Sequence, residues 1–316
     1  MDASNETKQM RDHGGGLDAA VLRYGGVRDD WIDLSTGINP VPYPFTPPPA
    51  AAWTALPDSA AQEALGVAAR RFWSVPDTLD VLAVPGASAA IAQIPRLAAA
   101  RTVRIPAPTY NEHAAAFATH GWEITQDHGA AQVLVHPNNP TGQYWSASDL
   151  SEGLQVIDES FCDIAPDQSL VRHAGGDALV LKSFGKFWGL AGVRLGFVIG
   201  APDHLARLAE WLGPWPVSGV ALEIGRQALS DTAWANTTRA RLSDDAHRLD
   251  AMMVAAGAQI AGGTPLFRLY EVEDAATWQD RLARHHIWSR TFPYSTRWLR
   301  LGLPDGPGWS RLADAL

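Results

Sequence analysis

Ser183-Phe184-Gly185-Lys186-Phe187-Trp188-Gly189-Leu190-Ala191-Gly192-Val193-Arg194-Leu195-Gly196 sets a lysine just past a short apolar run, inside a glycine-rich turn. An arginine follows eight residues later, ahead of a second apolar run. A lysine at the end of a buried strand is partly desolvated, which lowers its pKa and leaves its amine nucleophilic. That is the property an imine-forming lysine needs. Taken alone, the same lysine also reads as a surface residue beside a structural turn.

Working outward, the runs Asp80 to Val84, Arg101 to Ile105, Trp122 to Thr125, Val133 to His136, Gln155 to Asp158, Ala178 to Lys182 and Leu195 to Ile199 are short, apolar and bounded by Gly, Pro, Asp or Asn. One helical pattern, Ser59 to Phe72, precedes these runs, and another, Ser88 to Ala100, falls between the first two. This alternation predicts an α/β fold with a mostly parallel sheet covered on both faces. From Asp203 to Ala256 the pattern is helical, broken at Gly213-Pro214-Trp215-Pro216. Three strand-like runs follow, Leu266 to Val272, Ile287 to Phe292 and Trp298 to Leu303, with a helix expected over Ala275 to His285. The expected organisation is an N-terminal arm over residues 1–45, a large domain over 46–213 and a small α+β C-terminal domain over 214–316.

Four more segments carry chemistry. Gly86-Ala87-Ser88 follows a strand and opens a helix, where backbone N–H groups bind phosphate. Pro108-Thr109-Tyr110 places an aromatic ring after another strand, and His136-Pro137-Asn138-Asn139-Pro140-Thr141-Gly142 forms a loop after a third. Val156-Ile157-Asp158-Glu159-Ser160-Phe161 ends a strand on two acids. Each has a plainer reading: Tyr110 as core, Asn139 as a turn residue, Asp158 as a cap.

Together and in this order, these segments resemble the signature of fold-type I pyridoxal 5'-phosphate (PLP) enzymes, the aspartate aminotransferase superfamily. The resemblance implies PLP as cofactor and Lys186 as the residue that binds its aldehyde. It places Asp158 at the pyridine nitrogen, Asn139 at the phenolic oxygen and Tyr110 against the ring. Gly86, Ala87, Ser88, Ser183 and Arg194 fall at the phosphate. A carboxylate beside the ring nitrogen favours the pyridinium, which deepens the electron sink.

The N-terminal His13-Gly14-Gly15-Gly16 and Asp33-Leu34-Ser35-Thr36-Gly37-Ile38-Asn39-Pro40 resemble the opening of L-threonine O-3-phosphate decarboxylases of cobalamin biosynthesis, relatives of histidinol-phosphate aminotransferases. Arg297-Trp298-Leu299-Arg300-Leu301 resembles their C-terminal motif. The resemblance implies that Arg300 grips the substrate α-carboxylate, with Arg290, His13 and Asn39 on the substrate side. It implies a phosphorylated amino acid as substrate and a homodimer as the working unit. An aminotransferase acting on histidinol phosphate or a related amine is the alternative. Two positions depart from the superfamily pattern: Leu56 and Phe161 stand where tyrosines are usual.

Composition agrees. The 316 residues are 46% hydrophobic and 19% charged, a globular mixture. The net charge of −9 and the lack of a basic run argue against nucleic-acid binding. In such a field an anionic ligand needs a few focused arginines and helix N-termini. No stretch reads as a membrane span, and the first sixteen residues show no apolar signal core. Together with the single Cys162, these features predict a cytoplasmic protein, and no metal-ligand spacing is visible.

Overall fold

The structure is a computed structural model that describes residues 12–316; the first eleven residues of the expected arm lie outside the described residues. Helix α1 (Leu17–Tyr24), the two-residue strand β1 (Ile32–Asp33) and the single turn α2 (Ala51–Thr54) lead into α3 (Ser59–Phe72). Asp58 starts α3: its carboxylate accepts the Ala61 N–H at 2.8 Å, satisfying a donor that has no partner within the helix.

Then come β2 (Asp80–Val84), α4 (Ala87–Gln93), β3 (Thr102–Arg104), α5 (Asn111–Thr119), β4 (Glu123–Thr125), β5 (Ala131–Val135), β6 (Leu154–Asp158), β7 (Ala178–Ser183) and β8 (Gly196–Gly200). They form a seven-stranded sheet in the order β2-β8-β7-β6-β5-β3-β4. β8 runs antiparallel to both neighbours, and every other pairing is parallel.

Side chains alternate between the two faces, as the pleat requires. Val180 and Ile157 pack into one apolar cluster with Phe197 and Ile199. Leu179, Leu181, Val156 and Val198 pack into the other. Burial on both sides is why these strands read as continuous apolar runs rather than alternating ones.

The chain continues through α6 (Pro202–Leu212), α7 (Gly219–Ser230), α8 (Thr232–Ala255), β9 (Gln259–Thr264), β10 (Phe267–Glu271), α9 (Ala275–Ala283), β11 (Ile287–Trp288), β12 (Arg290–Phe292), β13 (Ser295–Gly302) and α10 (Gly308–Ala315). A second, antiparallel sheet has the order β12-β13-β10-β9. β1 pairs in parallel with β11 in a separate two-stranded sheet, tying the arm to the segment that leads into β12.

Two expectations need correction. The helix expected over Ser88 to Ala100 ends at Gln93 and passes into a 3₁₀ turn, Ile94–Arg96, where Pro95 has no N–H to continue the ladder. Ile287 to Phe292 is not one strand: Ser289 separates β11, which pairs with the arm, from β12, which pairs with β13. β9 carries no strand signal in the sequence, because Gln-Ile-Ala-Gly-Gly-Thr has no alternation and two glycines. No helix among the described residues is long and apolar enough to cross a membrane.

Candidate active site

The parallel strands deliver their carboxyl ends to one edge of the large sheet, where ligands of open α/β folds bind. There β6 ends on Asp158, β5 runs into the loop carrying Asn139, and β7 runs into the Lys186 turn. Two adjoining cavities open at this edge. The inner one, about 220 Å³, is lined by Ala87, Ser88, Asp158, Ser183 and Arg194. The outer one, about 190 Å³, is lined by Asp12, His13, Thr36, Arg290, Tyr294 and Arg300. Tyr110, Asn139, Phe161 and Lys186 line both.

Lys186 stands at the junction, its ammonium 5.2 Å from the Phe161 ring. Burial, then the nearby charges of Arg300 and Arg194, pushes its pKa down to about 8 against the pull of Asp158. At neutral pH a useful fraction of the amine is therefore unprotonated.

Asp158 is buried. Its Oδ2 lies 2.8 Å from His113 Nε2, and its Oδ1 accepts from the Ser160 N–H at 3.0 Å and the Ser160 hydroxyl at 2.5 Å. Burial alone would raise its pKa, but the bond and charge of His113, with the two Ser160 bonds, outweigh it and hold the carboxyl below its usual value. No motif in the sequence points to His113. It sits on α5, three residues beyond Tyr110, and helical spacing gives no sign of a partner 45 residues away.

Arg194 adopts the left-handed conformation at φ 54°, and its Nη1 donates to the Ala191 carbonyl at 3.1 Å. Among the described residues it has no carboxylate partner. Gly86, at φ 80°, makes its approach possible: a Cβ there would lie 2.5 Å from Arg194 Nη2. Tyr110 is pushed up to about 12, by burial first and then by Asp158, so the phenol keeps its proton.

Arg300 is buried. Its Nη2 donates to the Ser35 carbonyl at 2.7 Å, and its Nη1 donates to Asn139 Oδ1. Its Nε has no hydrogen-bond partner among the described residues. Burial, then the charge of Arg290, pushes its pKa down to about 10. A buried guanidinium that faces a cavity and has no carboxylate partner among the described residues is poised for an anion from outside. With Oδ1 of Asn139 taken, its amide N–H₂ is the group left for a ligand oxygen. Arg290 is the direct cross-strand partner of Arg300. It is ion-paired to Asp12 at 2.6 Å, while His13 Nε2 lies 2.9 Å from Glu112 Oε1.

Asn39 requires correction as a substrate-side residue. It is buried behind the lysine turn, where its Nδ2 donates to the Phe187 carbonyl at 2.9 Å. Its Oδ1 accepts from the Val41 N–H at 3.0 Å and from Arg241 Nη2 at 2.6 Å. These bonds engage both ends of its amide, and Thr36 lines the outer cavity instead. Leu56 is 67% exposed, and Phe161 packs edge-on against Phe267.

His136, Glu159 and Cys162 bring ligand-type atoms within 4.8 Å of one another, a cluster no sequence spacing suggested. Its groups are engaged: His136 Nδ1 accepts from the Trp145 N–H and Nε2 faces the Gln168 carbonyl, while Glu159 pairs with Lys182 at 2.6 Å.

The aminotransferase class I and II family model matches residues 122–308. The chain belongs to this family. As a member of it, the chain is 42% identical to a threonine-phosphate decarboxylase of Sinorhizobium sp, over 96% of this chain and 97% of that one. It is 38% identical to another from Pseudomonas aeruginosa, over 97% of each. Among solved structures, a histidinol-phosphate aminotransferase from Sinorhizobium meliloti in complex with PLP superimposes with a TM-score of 0.79 at 19% identity, covering 100% of this chain and 97% of that one. An L-threonine-O-3-phosphate decarboxylase from Porphyromonas gingivalis gives 0.70 at 18%, covering 84% and 93%. These structural likenesses bear on the fold alone.

The inner cavity of this family member fits PLP on its own chemistry. It offers a guanidinium with no carboxylate partner among the described residues, over a glycine that leaves it room, and an amine of lowered pKa. It also holds a buried carboxylate kept ionised by His113 and Ser160. A dianionic phosphate, an aldehyde and a basic ring nitrogen find one partner each.

Proposed function

We propose that this protein is a PLP-dependent decarboxylase that converts L-threonine O-3-phosphate to (R)-1-amino-2-propanol O-2-phosphate in cobalamin biosynthesis. The observation that carries the reading is the cross-strand pair Arg300 and Arg290 at the outer cavity, in a chain 42% identical over nearly its whole length to a threonine-phosphate decarboxylase. A phosphorylated amino acid has two anionic ends, and the cavity has two arginines to receive them.

Lys186, Asp158, Asn139 and Arg194 are the residues proposed to hold PLP, with Gly86, Ala87, Ser88 and Ser183 shaping its phosphate end and Tyr110 lying against its ring. Bound PLP supplies an electron sink for the pair of electrons left on Cα when one of its bonds breaks. Asp158, kept ionised by His113, holds a proton on the ring nitrogen. Arg300 takes the α-carboxylate with the donors that Ser35 and Asn139 leave free. Arg290, with His13 beside it, takes the phosphate. Anchoring both ends would limit rotation about Cα and so decide which of its bonds breaks. For decarboxylation this is the bond to the carboxylate, and the Nζ of Lys186 then delivers a proton to Cα.

An aminotransferase would use almost the same residues, with Lys186 removing the Cα proton instead. Histidinol-phosphate aminotransferases align over about half of this chain, one from Baumannia cicadellinicola at 30% identity over 46%. Incubation with L-threonine O-3-phosphate separates the two reactions. Release of CO₂ without a keto acid supports the decarboxylase; amino transfer to 2-oxoglutarate without CO₂ supports the aminotransferase. We further propose a cytoplasmic homodimer, a reading supported by the family resemblance and the acidic, single-cysteine composition.

A further inference from the structure

Two arginines stand side by side on paired strands at the outer cavity, yet they are held differently. Arg300 has no carboxylate partner among the described residues, whereas Arg290 already has one. Oδ2 of Asp12 lies 2.6 Å from Arg290 Nη2, and Arg290 Nη1 also donates to the His13 carbonyl. The Arg290 side chain is 13% exposed and that of Asp12 is 42% exposed. The guanidinium is thus mostly enclosed, while its counter-ion at the cavity wall is the more exposed of the two.

The arm backbone is also fastened by contacts that do not involve the Asp12 carboxylate. The Asp12 carbonyl accepts from Asn111 Nδ2 at 2.8 Å, and the His13 ring reaches Glu112 on the same helix. Gly14 packs so closely on Ser35 that a Cβ there would lie 2.5 Å from its carbonyl oxygen. Among the described residues the Asp12 carboxylate itself has only Arg290. It can therefore swing into solvent by side-chain rotation while the arm stays in place.

We propose that Asp12 is a built-in competing anion that occupies Arg290 until a phosphate dianion replaces it, making the outer arginine selective for phosphorylated substrates. The inference rests on the reading that the phosphate end of the substrate meets Arg290. The exchange is driven by charge and geometry. A phosphate monoester carries close to two charges and three acceptor oxygens, against one charge and two oxygens for Asp12. A hydroxyl brings no charge, so unphosphorylated L-threonine cannot displace the carboxylate. Once a phosphate is seated, like-charge repulsion keeps Asp12 turned outward.

The test uses the PLP-loaded enzyme and calorimetric titration with inorganic phosphate, alongside L-threonine binding followed by the visible absorbance of the cofactor. Removing the competitor in Asp12→Asn should tighten phosphate binding about fivefold, the equivalent of a part-exposed ion pair of about 1 kcal/mol. L-Threonine binding should be unchanged, and in an Arg290→Met background Asp12→Asn should have no effect. Unchanged or weaker phosphate binding in Asp12→Asn, or the same gain without Arg290, overturns the proposal. Failure of the functional reading is distinct: the wild-type enzyme would release no CO₂ from L-threonine O-3-phosphate, whatever the phosphate titrations show for Asp12.

Discussion

His113 Nε2 lies 2.8 Å from Asp158 Oδ2, with both side chains buried. This contact opposes the burial that would otherwise favour a neutral Asp158. His113 is thus a positioning residue: it acts through the carboxylate. Replacing His113 with Phe removes a hydrogen bond to a charged group, worth about 1.5–3 kcal/mol. Turnover should fall roughly tenfold or more with little change in KM. The visible spectrum of the bound cofactor should show a lowered pKa for its ring nitrogen, and His113→Gln should restore part of the loss. A wild-type spectrum and turnover in His113→Phe would contradict the role.

Gly86→Ala tests the phosphate end. The backbone there is in the left-handed region, and the new methyl would press on Arg194. The strain should cost at least about 1 kcal/mol of stability. The displaced guanidinium should weaken PLP binding by a larger factor than it weakens the fold, read by comparing cofactor titration with thermal melting of the cofactor-free protein. Wild-type PLP affinity would show that Arg194 does not depend on this gap.

The amine of Lys186, pushed down to about 8, predicts a pH profile. Only the free amine attacks an aldehyde. In cofactor-free protein the rate of PLP capture should therefore rise with pH through about 8 and then level off; a rate still climbing at pH 10 would mean an ordinary lysine. Stability follows the same titration. Between about 8 and the ordinary 10.5 the unfolded chain binds a proton that the folded chain has released, so the cofactor-free protein gains stability as pH rises across that window. The destabilisation from burying this amine is fully present below the window.

Arg300→Lys keeps the charge but loses the planar fork. A single ammonium cannot reproduce bonds to Ser35, Asn139 and a substrate carboxylate together. Substrate affinity should drop by about 1.5–3 kcal/mol, roughly tenfold to a hundredfold in KM for L-threonine O-3-phosphate. Unchanged steady-state kinetics would remove Arg300 from the carboxylate site.

The central strands β5 to β8 are legible because burial on both faces makes them short, mostly apolar runs, as in Leu179 to Leu181. The positions of Lys186, Asp158, Asn139 and Arg194 were legible because local motifs set them at strand ends and turns. Contacts between distant segments were not. Nothing local in His113 points to Asp158, and Asp12 is a single acid among 34 acidic residues until the arm lays it on Arg290. Asn39 misled for the same reason: its motif resembles a substrate-side segment, but its amide is spent on Phe187, Val41 and Arg241. The glycine-bearing β9 had no pattern to read, and Ser289 divides a run whose two halves serve different sheets.

The most direct test of the account is to load the protein with PLP, reduce it with borohydride, digest it and locate the pyridoxyl group by tandem mass spectrometry. The account predicts one modified peptide, carrying the group on Lys186, and none in Lys186→Ala. A pyridoxyl group on any other lysine, or an unmodified Lys186 in fully loaded enzyme, would contradict it.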